Sequence, residues 1–259
     1  INLSPDFIEC IVFWTKNAVP FMDYLEELNR MGYMYMFQYT ITPYDNTLEK
    51  NISDKSDIIK NVLELSEKIE KKRIVWRYDP ILLNDTYTVN RHIELFEEMC
   101  SLLYTAVNHV VISFIDLYQK NRGYRLYELS TDEITHLAQA FGEIGAKYKL
   151  PIKTCCENYD LTKFGITKGA CIDSVLLEEI CNRPLLLKKA TGQRKNCLCA
   201  ESVDIGAYHT CLNGCIYCYA TDYKRLKTKQ KCYDKNSQIL CDKLDFGKDI
   251  IKVRKMKKL

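Results

Sequence analysis

Short β-rich runs alternate with amphipathic helical runs along most of the chain, and this alternation narrows its folds more than any other feature. Residues 9–14, 33–42, 73–77, 109–115, 151–155 and 202–205 read as strands. Several are almost wholly apolar, as expected where both faces of a parallel strand are covered. Between them, apolar residues recur every three or four positions: Phe21, Leu25 and Leu28; Ile58, Val62, Leu65 and Ile69; Ile93, Phe96, Met99 and Leu103. Each set gives a helix one core-facing stripe. Ser130 with Glu133 predicts a capping box opening a helix through Ile134, Leu137, Ala138 and Phe141, and Asp173 a cap for a shorter helix through Leu177 and Ile180. Strands alternating with helices imply an α/β fold, here a partial TIM-like (β/α) barrel, with reactive groups at the carboxyl ends of its strands.

Those strand ends are polar. They read Trp14-Thr15-Lys16-Asn17, Gln38-Tyr39-Thr40-Ile41-Thr42, Arg77-Tyr78-Asp79-Pro80, Ser113 with Asp116, and Thr154-Cys155-Cys156-Glu157. Any one of them suits a loop or helix cap, but five in succession suggest a ring of donors and carboxylates around one mouth. Arg77, Asp79, Asp116 and Glu157 are the candidate catalytic residues, on position alone. Tyr39, Tyr78 and Tyr118 are candidates to line the pocket or relay an electron.

The run Thr210-Cys211-Leu212-Asn213-Gly214-Cys215-Ile216-Tyr217-Cys218-Tyr219 sets three thiols at C-x3-C-x2-C spacing. Three thiolates on one tight loop can hold three irons of a 4Fe-4S cube and leave the fourth iron open to S-adenosylmethionine. A bacterial ferredoxin uses C-x2-C-x2-C-x3-C instead. A structural zinc site usually shows paired knuckles, and Cys215 with Cys218 is the single C-x2-C pair here.

With these motifs the chain resembles radical S-adenosylmethionine (radical-SAM) enzymes, and among them the spore photoproduct lyase-like branch. The matching segments are Thr15-Lys16-Asn17, Phe37-Gln38-Tyr39-Thr40-Ile41-Thr42 and Arg77-Tyr78-Asp79-Pro80-Ile81. In that branch these segments follow the cluster loop, whereas here they precede it, so the resemblance implies a circular permutation in which Asp204-Ile205-Gly206 is the strand feeding the loop. A closer resemblance, over nearly the whole chain, is to an uncharacterised domain family with such a cysteine cluster at its C-terminal end. It rests on Phe13-Trp14-Thr15-Lys16-Asn17, on Trp76 through Leu83 and on Asp204-Ile205-Gly206-Ala207-Tyr208. Family members usually begin with a further strand-like segment; the chain opens at Ile1 without an initiator methionine, and a fragment is expected.

The resemblance implies that Cys211, Cys215 and Cys218 bind the 4Fe-4S cluster and that Tyr217 presents its backbone to the adenine. It places Lys16 near the methionyl carboxylate of S-adenosylmethionine and Thr40 near the same ligand. The Gly-Gly-Glu strand motif common in radical-SAM enzymes is absent. The implied reaction is reductive cleavage of S-adenosylmethionine to a 5′-deoxyadenosyl radical that takes hydrogen from a substrate, with a one-electron donor such as ferredoxin or flavodoxin as partner.

Thirteen cysteines are more than packing requires and call for metal or disulfides; the long periodic segments favour metal, hence a reducing, cytoplasmic setting. Cys155, Cys171, Cys197 and Cys199 lie in polar surroundings, where they read either as ligands of an auxiliary iron-sulfur cluster or zinc site or, in part, as simple core thiols. Cys10, Cys100 and Cys181 read as small buried hydrophobes, and Cys232 and Cys241 as incidental. The histidines show no ligand spacing: His92, His109 and His136 read as surface or core residues, while His209 is placed to shield the cluster.

With 47% hydrophobic residues, the 259-residue chain can fill one barrel-sized core. No membrane-spanning run occurs. Residues 1–221 form the expected domain, carrying about −5 of charge, and residues 222–259 a basic extension with thirteen Lys and Arg against five Asp. That extension is expected to be solvated and partly disordered. Nucleic acid ranks level with a small molecule or peptide as substrate. The rival reading is a non-catalytic zinc or iron-sulfur binding module, associated with nucleic acid.

Overall fold

The computed structural model describes residues 2–121, 123–237, 239–252 and 254–256. Six strands, β1 (Ile11–Thr15), β2 (Tyr35–Thr40), β3 (Ile74–Ile81), β4 (Val110–Phe114), β5 (Ile152–Cys155) and β6 (Ile166–Gly169), form one sheet in sequential order. Every neighbouring pair is parallel. Five of the expected strands are present within a few residues of their ends. The sixth is not: residues 202–205 are irregular, with Val203 and Ile205 exposed, and Asp204 to Gly206 form no strand. The sixth position belongs to β6, which is short and carries Thr167 and Lys168 exposed between its buried ends.

The crossovers contain α1 (Leu25–Arg30), α2 (Lys55–Lys68), α3 (Val89–Leu103) and α4 (Thr131–Tyr148). The apolar stripes of all four pack on one face of the sheet, against Tyr35, Phe37 and Tyr39 of β2, Ile74, Trp76 and Tyr78 of β3, and Val110 and Ile112 of β4. The capping box at Ser130 and Glu133 opens α4 as expected. Gly142 lets α4 meet the turn before β6: a Cβ there would lie 1.9 Å from the Phe164 carbonyl oxygen.

Successive strand residues point to opposite faces, so Met36, Val75 and Val111 face the other way. There they pack with Leu176, Leu177 and Ile180 of α5 (Ser174–Cys181), whose N-cap Asp173 accepts from the Val175 and Leu176 amides. On this second face the next residues toward the carboxyl ends are Gln38, Arg77, Ser113 and Cys155. The face thus turns from apolar to polar along β2, β3 and β4.

Tyr39 and Tyr78 share parity with Phe37 and Trp76 and are buried under the helices, so neither lines the mouth. Tyr39 donates to Asn61 Oδ1 at 2.7 Å, and Tyr78 pairs with His92 Nδ1 at 2.8 Å. His92 Nε2 lies 2.8 Å from the Leu82 carbonyl, and burial lowers its pKa to about 4, so the ring is a neutral core group. Cys100 is buried, but Cys10 and Cys181 are half-buried with their thiols in mutual contact, because the edge of the sheet leaves both open on one side.

The described part of the basic extension carries one helix. This is α6 (Tyr223–Lys231), capped by Asp222 on the amides of Lys224 and Arg225 and docked through buried Leu226. Residues 238, 253 and 257–259 of that extension lie outside the described residues. No helix among the described residues is long and apolar enough to cross a membrane.

Candidate active site at the carboxyl ends of the strands

The 211–218 loop lies against residues 48–51, which follow β2. The Ile216 amide donates to the Leu48 carbonyl at 2.9 Å, the Asn51 amide to the Asn213 carbonyl at 3.1 Å, and Asn51 Nδ2 to the Leu212 carbonyl at 2.6 Å. Glu49 and Cys215 form an antiparallel bridge. Gly214 turns the loop at a φ of 72°, and a Cβ there would press on Asn51, Lys50 and the Tyr223 hydroxyl at 3.1–3.3 Å. From the other side Asn121 Nδ2 donates to the Ile216 carbonyl at 2.6 Å, while Asn121 Oδ1, buried, has no partner among the described residues.

The base of the loop is closed by His209, whose amide donates to the Ala220 carbonyl at 3.1 Å and whose Nδ1 accepts from the Asp222 amide at 2.9 Å. The imidazole is therefore engaged in the loop's own closure.

The loop rests on a buried carboxylate that the sequence did not single out. Glu49 is 1% exposed. It accepts from Lys16 at 2.8 Å, Lys55 at 2.5 Å and Thr42 Oγ1 at 2.6 Å, and from the Tyr217 hydroxyl. Burial pushes its pKa up, but Lys16 and Lys55 outweigh burial and hold the carboxyl at about 2. Lys16 therefore faces Glu49, and the Tyr217 side chain is buried beneath the loop. Thr40 stands opposite Arg77 in the β2–β3 register.

The Tyr223 phenol, raised first by burial, is raised further by Cys215, Tyr124, Cys218 and Cys211, so each loop thiol is within electrostatic reach of it. Burial raises the Cys215 thiol to about 11, and Lys16 acts in the opposite direction. Three sulfurs on one turn, cations beside the innermost and an orphaned amide oxygen behind the loop fit a thiolate-bound iron centre in donor chemistry. No group of three or more His, Cys, Asp or Glu side chains among the described residues already stands at metal-ligand geometry.

A second group of side chains shares the mouth. Arg77, 7% exposed, forms a two-pronged ion pair with Asp79, with Nε to Oδ1 at 3.2 Å. Its Nη1 also reaches Gln38 Oε1 at 3.3 Å and Cys171 Sγ at 3.0 Å. Gln38 Nε2 donates to the Cys171 carbonyl at 2.7 Å, and Ser113 Oγ donates to Asp79 at 3.3 Å. Cys155 Sγ lies 2.9 Å from Cys171 Sγ. Cys155 is the more acidic of the two, its pKa lowered to about 7 by the Cys171 hydrogen bond and, against burial, by Arg77, while Cys171 is raised in turn.

Cys199 is lowered to about 5, first by the Cys171 thiol and, against burial, by the backbone amides of Ile172 and Cys171. The Tyr219 phenol, raised first by burial, feels both Cys218 and Arg77.

Of the four catalytic candidates, Arg77 and Asp79 are joined at the centre. Glu157 accepts the Phe114 amide at 2.9 Å, and its pKa is raised by burial and by the nearby Asp116. Asp116 lies further out, exposed and paired with Arg194 at 2.8 Å. Tyr118 is exposed at the rim, its ring centroid 6.2 Å from that of Tyr219.

Residues 1–220 match the model of a family described as Domain of unknown function (DUF1848). No curated protein matches the chain.

Proposed function

The chain belongs to the DUF1848 family, and on that premise we propose that it is a radical-SAM-type iron-sulfur enzyme acting on a substrate held at the carboxyl ends of its strands. The observation that carries the reading is the docking of the 211–218 loop on residues 48–51, which follow β2, with Cys215 bridged to Glu49 and Lys16 held on the Glu49 carboxylate. Cys211, Cys215 and Cys218 would hold a 4Fe-4S cluster with one iron open to S-adenosylmethionine. When bound, that pair supplies one-electron reductive cleavage of the sulfonium and, through it, hydrogen abstraction.

The chain's own residues do the rest. Lys16 offers a cation to a ligand carboxylate, and Lys55 keeps Glu49 compensated if Lys16 turns away from it. Arg77, oriented by Asp79 and Gln38, presents a fixed positive charge to an anionic substrate group. Glu157, already biased toward protonation, is suited to exchange a proton. Tyr118 and Tyr219 wall the rim.

Sequential parallel strands with α1 to α4 on one face make the wall of a partial barrel. A cluster loop that comes last in the chain yet docks after β2 supports a circular permutation. A reductant of the ferredoxin or flavodoxin class is the expected partner.

The test is anaerobic reconstitution with ferrous iron and sulfide. The protein should turn brown, absorb near ~400 nm as thiolate-ligated clusters do, change its electron spin signal on adding S-adenosylmethionine, and release 5′-deoxyadenosine. Cys215→Ala should reduce that release to background. A colourless protein with stoichiometric zinc and no release would replace this reading with the non-catalytic module.

A further inference from the structure

We propose that Cys155, Cys171, Cys197 and Cys199 form a second metal centre, a four-thiolate site for zinc or an iron-sulfur cluster, set beside Arg77 and separate from the 211–218 loop. The thiols come from three parts of the chain that the fold brings to one point. Cys155 ends β5, and its register partner Gly169 ends β6 two residues before Cys171. The segment bearing Cys197 and Cys199 is stitched alongside: the Ala200 amide donates to the Ile172 carbonyl at 2.9 Å, and the Ala190 amide to the Cys199 carbonyl at 2.9 Å.

Cys155 Sγ and Cys171 Sγ are 2.9 Å apart, Cys199 Sγ accepts the Cys171 amide at 3.2 Å, and Cys197 precedes Cys199 by two residues, its amide donating to the Arg194 carbonyl at 2.9 Å. Sulfur packed as a small hydrophobe has apolar neighbours. Here the sulfurs take hydrogen bonds from a backbone amide and, at 3.0 Å, from the Arg77 guanidinium, donors that favour thiolates and so metal.

A redox dithiol is the competing use of such a pair, but it needs two sulfurs, and a third, Cys199 Sγ, is held on the Cys171 amide. On a tetrahedral metal with bonds of about 2.3 Å, neighbouring sulfurs stand roughly 3.8 Å apart. Cys155 and Cys171 would therefore separate by about an ångström on loading, a change that side-chain rotation at a strand end and in the turn after β6 can supply. Arg77 offsets part of the negative charge that four thiolates leave on a divalent ion.

The experiment isolates this centre by removing the other. The variant C211A/C215A/C218A is reconstituted anaerobically, in one arm with Zn²⁺ and in another with ferrous iron and sulfide, and metal per chain is measured after desalting. The proposal expects about one zinc ion or one cluster per chain in at least one arm, with Cys199→Ala added to that background lowering retention at least tenfold. A metal-free chain in both arms overturns it, as does metal retained equally with and without Cys199, or a Cys155–Cys171 disulfide found by peptide mapping in place of metal.

If the triple variant fails to fold, the otherwise unchanged chain is compared with Cys199→Ala and Cys10→Ala. A drop of about half in metal for the first alone supports the centre, and equal content in all three overturns it. Because the first arm lacks the loop thiols, failure of the radical-SAM reading leaves this result unaffected.

Discussion

The thiols of the 211–218 loop stand on a segment held from outside the sheet, by backbone bonds to residues 48–51 and by the buried Glu49 beneath Tyr217. Cys155 and Cys171, in contrast, sit at or just beyond the ends of β5 and β6, where the ladder itself sets their spacing. The charges differ too: a carboxylate between two lysines supports the first group, and a guanidinium tied to Asp79 supports the second. The charged part of the loop's support is a single residue, so one substitution can loosen the loop. Thiols placed by strand register move only if the sheet does.

Glu49→Ala tests that contrast with the largest expected effect. Removing the carboxylate leaves two lysines facing each other and strips the Thr42 and Tyr217 hydroxyls of their acceptor. Breaking a buried pair in this way costs about 3–5 kcal/mol, so urea unfolding should show a loss of that order and a disulfide reagent should reach Cys215 faster. The reactivity of Cys155 should stay unchanged under native conditions. A stability loss below about 1 kcal/mol, or equal exposure of both groups, would show that the post is not what holds the loop.

Acid separates the same regions by pH. The Glu49 carboxyl ordinarily titrates at 4.5 and here at about 2, so the unfolded chain takes up that proton first. Its contribution is complete above about pH 4.5 and disappears as the pH falls toward 2. His92 and His109 ordinarily titrate near 6.5 and here at about 4 because burial disfavours the charged ring. Their contribution is therefore complete above about pH 6.5 and is lost between there and pH 4.

Shifts of this size amount to about 3 kcal/mol each. Stability followed by denaturant midpoint should fall in two stages, an upper one from the core histidines and a lower one from the loop. Glu49→Gln should remove only the lower stage, and its persistence in that variant would reassign it to another carboxylate.

How much of this was legible in the sequence follows from burial. Strands β2 to β4 are covered on both faces and announce themselves as apolar runs, and the stripes of α2 to α4 do the same at helical spacing. β6 gives no such signal, because Thr167 and Lys168 face solvent at the sheet edge. Residues 202–205 mimic a strand through Val203 and Ile205, yet nothing covers them.

Among site residues, Arg77 and Asp79 were readable as polar groups ending an apolar run. Tyr39 and Tyr78 were misread, although their parity with Phe37 and Trp76 assigns them to the helix-covered face. Glu49 was invisible: it stands in the polar run Asn46-Thr47-Leu48-Glu49-Lys50-Asn51. What sets it apart is tertiary: its burial, its two lysines and its bridge to Cys215, far along the chain.

The smallest effect belongs to Ser130→Ala, which tells site loss from ordinary destabilisation. Ser130 Oγ accepts the Glu133 amide at 3.3 Å, and Glu133 in return accepts the Ser130 amide at 2.8 Å, closing the capping box of α4. Losing an N-cap of this kind costs about 1 kcal/mol. α4 packs behind the sheet and bears neither thiol group. The variant should therefore unfold at slightly lower urea while keeping its iron, its zinc and the reactivity of both thiol groups at the level of the parent chain. If a loss this small also lowered iron, the deficits of Glu49→Ala and Cys199→Ala would reflect general loosening, and the contrast between a posted loop and a register-set pair would lose its support.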